Sequence, residues 1–153
     1  MKTQTDMLKA KHEEWVAEGR ELRVAMKPQK FTSPESVLPY AHTELLGSRI
    51  EKMLVIYLDS KLNVIESSVG CEGTVDQVVI YPREIVRKAL LNDSRGIILI
   101  HNHPSGDTDP SGADIRLTEN VNKACEALGL RLHDHIIVGT VDNWMSFQEE
   151  GKL

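Results

Sequence analysis

His101, His103, Ser111 and Asp114 fall within the stretch His101-Asn102-His103-Pro104-Ser105-Gly106-Asp107-Thr108-Asp109-Pro110-Ser111-Gly112-Ala113-Asp114. Two imidazoles and one carboxylate, His101, His103 and Asp114, form a three-ligand set that leaves one position of a zinc ion (Zn2+) for water, the composition of an open, catalytic site. Taken singly, the parts have plainer readings. A histidine at a strand end is often a polar residue leaving the core, and Ser-x-x-Asp is close to the capping box that begins many helices. The cap role and the metal role compete for Asp114. The combination favours the metal: HxH, seven residues, Ser, two residues, Asp, directly after an apolar run.

The elements that must position these residues can be read outward from them. Gly96-Ile97-Ile98-Leu99-Ile100 is short, continuous and β-branched, which suits a buried strand. If the chain stays extended beyond it, a two-residue repeat sends His101 and His103 to one side, and the Pro/Ser/Gly loop then turns the chain. A helix over residues 112–128, opened by Ser111 and closed by Gly129, brings Asp114 back, with Ile115, Leu117, Val121, Ala124, Cys125 and Leu128 mostly on its inner side. Upstream, Ser33 and Pro34 predict a helix start running to about Leu46 before Gly47. Met53 to Leu58 reads as a strand, Asp59-Ser60-Lys61 as a tight turn, and Leu62 to Ser68 as the returning strand. A third extended piece is expected around residues 69–71, and a helix from Pro82 to about Asn92. Leu132 to Val138 is another strand, carrying His133 and His135 at same-side spacing. Strands alternating with helices make the fold α/β, layered about a central sheet.

The string HNHPSG followed by PSGAD resembles the RadC family, the bacterial branch of the JAMM metalloproteases of the MPN fold. The resemblance extends to Val55-Ile56-Tyr57-Leu58-Asp59, Gly73-Thr74, Tyr81-Pro82-Arg83-Glu84-Ile85-Val86 and Asp134-His135-Ile136-Ile137-Val138-Gly139, and covers roughly Phe31 to the C-terminus. It implies a layered MPN (JAMM) fold, a mixed central sheet flanked by helices, over residues 31–153. It also implies roles for single residues. Glu51, by itself a charged residue just ahead of a strand, matches the family's general base. His101, His103 and Asp114 match its zinc ligands, and Ser111 its oxyanion donor. Asp134 and His135 match the pattern where His133 does not, so His133 is read as incidental and Asp134 or His135 as a support behind the ligands. The activity implied is hydrolysis of a peptide or isopeptide bond by a metal-activated water. Arg83 and Glu84, also within the matching segments, read as surface charges of a helix start.

Composition bounds the rest. The 153 residues suffice for one core without staples, and 41% hydrophobic with 27% charged residues is ordinary for a globular protein. Cys71 and Cys125 make no CxxC, so they are expected as reduced thiols in a cytoplasmic setting. No apolar run approaches membrane-spanning length, and the first fifteen residues lack the apolar core of a signal peptide. Residues 1–30 form an amphipathic helix (Thr5 to about Met26, with Leu8, Trp15 and Leu22 seven apart) and a linker; the helix packs on its own domain or serves as a partner contact. These thirty residues leave no room for the helix-hairpin-helix domain that family members often carry, so none is expected. They hold seven Lys/Arg against five Asp/Glu, whereas the remainder holds 11 against 18. That acidic balance argues mildly against the alternative of a DNA-associated protein or metal-dependent nuclease. A ferrous-iron oxygenase would use the same two-histidine, one-carboxylate set but needs neither Glu51 nor Ser111. A peptide or protein substrate is therefore expected, with no membrane partner; the chain does not specify its oligomeric state.

Overall fold

The structure is a computed structural model that describes residues 28–69 and 81–153. The expected N-terminal helix, Cys71 and the Gly73-Thr74 segment lie outside the described residues. Five strands form one sheet: β1 (Met53–Leu58), β2 (Val64–Val69), β3 (Gly96–Asn102), β4 (Arg131–Val138) and β5 (Trp144–Ser146), in the order β2-β1-β3-β4-β5. β1 runs antiparallel to both β2 and β3, β3 runs parallel to β4, and β4 runs antiparallel to β5, so the sheet is mixed as expected.

Because successive side chains point to opposite faces, the wholly apolar β1 and the Ile97–Ile100 run of β3 supply both cores at once. Met53, Val55, Tyr57, Ile97 and Leu99 face α2 (Pro82–Leu91) and α3 (Gly112–Ala127), meeting Ile85, Val86, Val121 and Cys125. Leu54, Ile56, Leu58, Ile98 and Ile100 face α1 (Leu38–Leu45), meeting Leu38, Ala41 and Leu45. The result is a three-layered α/β sandwich with helices on both faces. β3 is buried throughout, at the centre. The crossover from β3 to its parallel neighbour is α3, and this crossover carries one end of the metal stretch to the other.

Several boundaries differ from the sequence reading. The helix expected from Pro34 divides into a 3-10 turn, Pro34–Ser36, and α1. Pro39 explains the break, since it has no N–H to bond the carbonyl of Glu35 and is tolerated only in the first turn of a new helix. Residues 29–31 are not free linker: the Val64 N–H donates to the Gln29 carbonyl (2.8 Å) and the Phe31 N–H to that of Leu62 (2.9 Å). On α3, Ile115 and Leu128 are exposed, and Thr118 takes a buried place beside Val121 and Cys125.

β4 holds the largest correction. Its register against β3 slips between Ile97 and Ile98, with Leu132 opposite the first and Asp134 opposite the second, so His133 is the extra residue of a bulge. The bulge reverses the alternation. Leu132 and His135 both belong to the α2/α3 face although three residues apart, while His133 approaches Phe31 (ring centroids 6.3 Å) on the other face. The second HxH pair is therefore split, and His133 stays clear of the metal stretch.

The loop after His103 is held against the β4–β5 hairpin. Asn143 Nδ2 donates to the Gly106 carbonyl (2.8 Å), Gly106 has φ +84°, and the backbones of Gly106 and Gly139 pass in direct contact. A Cβ on residue 139 would overlap the Gly106 carbonyl. Gly139→Ala is accordingly expected to destabilise the protein by about 1–3 kcal/mol, the range for overpacking a tight contact; urea unfolding checks this, and an unchanged midpoint would contradict the close approach.

Candidate metal centre

β3 delivers the first two ligands. His101 shares the pleat side of Ile97 and Leu99, facing α3, and His103 follows one repeat later, its N–H continuing the ladder to the Val138 carbonyl (2.9 Å). The two Nε2 atoms stand 2.9 Å apart. Asp114, at the third position of α3, completes the set: its Oδ1 lies 3.2 Å from His101 Nε2 and its Oδ2 3.2 Å from His103 Nε2. One ligand atom from each of the three residues lies within 4.8 Å of the others, a group able to hold a metal ion.

Capping and a place in the cluster are compatible for Asp114. Ser111 Oγ accepts the Asp114 N–H (3.1 Å) and Asp114 Oδ2 accepts the Ser111 N–H (2.8 Å), a complete capping box. The box fixes the carboxylate in the rotamer that faces the imidazoles, so the cap orients the ligand. Among the described residues Ser111 Oγ is engaged as an acceptor from Asp114, which leaves its own proton to donate, and the side chain is exposed beside the cluster.

The electrostatics match a site that prefers a cation. Burial alone would raise the Asp114 pKa, but the hydrogen bonds from His101 and His103 overcome it and hold the carboxyl well below its usual range. His103 is raised, chiefly by its hydrogen bond to Asp114, with smaller contributions from the Asp107 carbonyl and the charge of Glu51. His103 Nδ1–H donates to that carbonyl (2.7 Å), so Nε2 is the ring nitrogen turned toward His101 and Asp114.

Glu51 sits at the same end of the sheet, half-buried, and its charge reaches His103. Asn102, buried between the two ligands in sequence, explains why. It points to the opposite face, where Oδ1 accepts the Lys52 N–H (2.7 Å) and Nδ2 donates to the Ile50 carbonyl (3.0 Å). Asn102 thus clasps the backbone on both sides of Glu51 and ties that segment to the HxH. Sequence reasoning passed over Asn102, although its place one residue from each ligand assigns it to the other face. Thr118 was also missed; it lies four residues after Asp114, on the same helix face, and bonds His135, which in turn bonds His101. Asp134 sits away from the cluster, accepting Ser146 Oγ–H (2.6 Å) and the N–H groups of His135 and Gln148, and so anchors the C-terminal turn. Beside His103 a cavity of about 320 Å3 opens, lined in part by Leu46, Ser48, Arg49, Asn102 and Pro104.

A family model for the RadC-like JAB domain matches residues 31–152. A UPF0758 protein of Ruegeria pomeroyi is 44% identical over 128 residues, covering 84% of this chain and 57% of that protein. Another, of Rhodobacter capsulatus, is 44% identical over 131 residues, covering 86% and 60% respectively. A third, of Histophilus somni, is 42% identical over 123 residues, covering 80% and 55%. The chain thus spans between half and two thirds of the length of the curated relatives it matches. No helix among the described residues is long and apolar enough to cross a membrane.

The Asn102 clasp predicts a measurable cost. Asn102→Ala leaves an Ile50 carbonyl and a Lys52 N–H without these partners and is expected to lose about 1–3 kcal/mol of stability, read as a lower denaturant midpoint with an unchanged slope; wild-type stability would show that the clasp holds nothing.

Proposed function

The chain belongs to the RadC-like JAB domain family, and from that membership and the converging His101, His103 and Asp114 we propose that it is a zinc-dependent hydrolase cleaving a peptide or isopeptide bond. The observation that carries this reading is the placement of three ligand atoms within 4.8 Å of one another, at the end of the sheet where the charge of Glu51 also acts on His103. The donor set suits the ion: two neutral imidazoles and a carboxylate are a common catalytic zinc combination and leave a position open. Zinc held there would bring the pKa of a bound water down to about 7 and polarise a substrate carbonyl.

The remaining work falls to the chain. Glu51 takes the proton of the attacking water and passes it to the departing amine, a task suited to a carboxylate near a cation; the Asn102 clasp holds the backbone on both sides of it. Ser111 donates a hydrogen bond from its hydroxyl to the oxyanion that forms as the carbonyl is attacked. Asp114 is partly exposed while His101 is 2% exposed, so the scissile bond approaches from the side of Asp114 and the exposed Ser111. The oxygenase alternative leaves Glu51 and Ser111 without a task. The nuclease alternative gains no support, since residues 31–153 carry an excess of seven acidic groups over Lys/Arg.

Three measurements test this. His101→Ala is expected to lose stoichiometric zinc in elemental analysis, and equal zinc in variant and wild type would refute the ligand assignment. Glu51→Gln should retain zinc while hydrolysis of a peptide or isopeptide substrate falls about 100-fold or more; full activity in that variant would exclude Glu51 as the base. Protons compete with the metal for His103, whose pKa lies above the ordinary 6.5, whereas Asp114 stays ionised far below it. Zinc affinity measured by titration should therefore fall as pH drops below the His103 pKa, by up to about tenfold per pH unit for one displaced proton, and level off above it.

A further inference from the structure

The geometry points to His135 and Thr118 as positioning residues that fix the ring of His101 as an Nε2 ligand. This inference rests on the metal reading above, but its structural half can be tested without any metal. The directions of the bonds follow from one atom that has no choice. The backbone carbonyl of Asp114 can only accept, so Thr118 Oγ1, 2.7 Å away, donates its single proton there. Having spent that proton, Thr118 Oγ1 must accept from His135 Nδ1, 2.6 Å away, which places the His135 proton on Nδ1. His135 is wholly buried, with no carboxylate bonded to its ring among the described residues, so it stays neutral and its Nε2 offers a lone pair. That lone pair faces His101 Nδ1 at 2.8 Å. His101 therefore carries a proton on Nδ1, which leaves Nε2, directed at His103 Nε2 and Asp114 Oδ1, as the ring nitrogen for a metal.

The chain of bonds begins on the backbone of one ligand residue and ends on the ring of another. Asp114 and His101 are thereby locked to each other through Thr118 and His135, independently of their direct contact. Phe147 fixes the plane of the intermediate ring, stacked on His135 with centroids 4.8 Å apart and planes 14° from parallel. A comparison within the site shows why a side chain is used. His103 lies just beyond the strand and gives its Nδ1–H to a loop carbonyl, that of Asp107. His101 lies inside a sheet whose backbone groups are taken up by the ladder on both sides, with Met53 and Ile137 as its neighbours, so its acceptor has to come from a side chain of the next strand. The bulge at His133 supplies it by turning His135 to the ligand face.

The test uses the full chain in wild-type form and as His135→Phe, His135→Gln, Thr118→Val and Thr118→Ser, each checked for folding by circular dichroism and thermal unfolding. Two readouts apply: the histidine tautomers of the metal-free protein, from long-range 1H–15N NMR, and zinc affinity, from competition with a chromogenic chelator. Wild type is expected to show His101 as the Nδ1–H tautomer. His135→Phe should mix the His101 tautomers and weaken zinc binding about 10- to 100-fold, the range for losing a partner behind a metal-bound histidine. His135→Gln, which can accept from His101 and donate to Thr118, should keep the tautomer and most of the affinity, and Thr118→Ser should match wild type. Thr118→Val frees His135 to change tautomer and should weaken binding in the same direction, so it carries the test if His135→Phe does not fold. A folded His135→Phe or Thr118→Val protein with wild-type His101 tautomer and zinc affinity would overturn the proposal. A wild type that binds no zinc yet shows Nδ1–H His101, mixed by these substitutions, would overturn the metal reading while upholding the bond chain.

Discussion

The pleat of β3 is the constraint on which the site depends. One strand, buried on both faces, must satisfy two cores, and its alternation continues past the last apolar residue into the polar tip. Leu99, His101 and His103 follow one side, and Ile100 and Asn102 the other. The same two-residue repeat that sorts the core residues therefore sends two ligands toward α3 and the clasp residue toward the segment bearing Glu51. A single-residue slip in register would exchange these roles at once. The slip is opposed by every buried pair along the strand, since Leu99 and Ile100 would each leave a packed core for the other face.

The α3 N-terminus is the second half of the construction. A helix start has unpaired N–H groups that need acceptors, and a metal site needs a carboxylate in a fixed pose. Ser111 and Asp114 meet both needs with one reciprocal pair of bonds. The same turn leaves the Asp114 carbonyl to Thr118 rather than to an N–H alone, which links the helix start to His135 on β4. Three elements (β3, α3 and β4) thus converge through hydrogen bonds whose directions are mutually fixed, and a polar network of this kind is stable in a buried place because each of these members has a partner.

Much of this was legible from the sequence. The apolar run at Ile97 to Ile100, the HxH that follows it and the Ser-x-x-Asp opening a helix pointed to the His101, His103 and Asp114 cluster and the elements bearing it, since each is a local pattern with a known period. The resemblance to the RadC family supplied Glu51, which no periodicity would have singled out. What escaped was non-local. Whether Asn102 holds Ile50 and Lys52 depends on an antiparallel pairing across fifty residues, and only the folded register shows it. His133 and His135 look equivalent at two-residue spacing until the bulge, an effect of β3–β4 pairing, separates them. Thr118 looked like a neutral helix residue because its partner lies on another strand.

Access to the cluster follows from the same layering. His101 is sealed beneath the sheet's end, His103 is at the margin, and Asp114 is held by a cap open to solvent. The cluster is closed on the side of the α2/α3 core by Val121 and Cys125, and on the strand side of His101 by the stacked His135 and Phe147. The cavity beside His103 lies between the 46–49 loop and Pro104. This loop leads directly to Glu51, so the segment that lines the cavity also bears that carboxylate. The Asn102 clasp thus couples cavity and carboxylate: any movement of residues 50–52 that widened the cavity would also shift Glu51 relative to His103, and two hydrogen bonds from a buried side chain resist it.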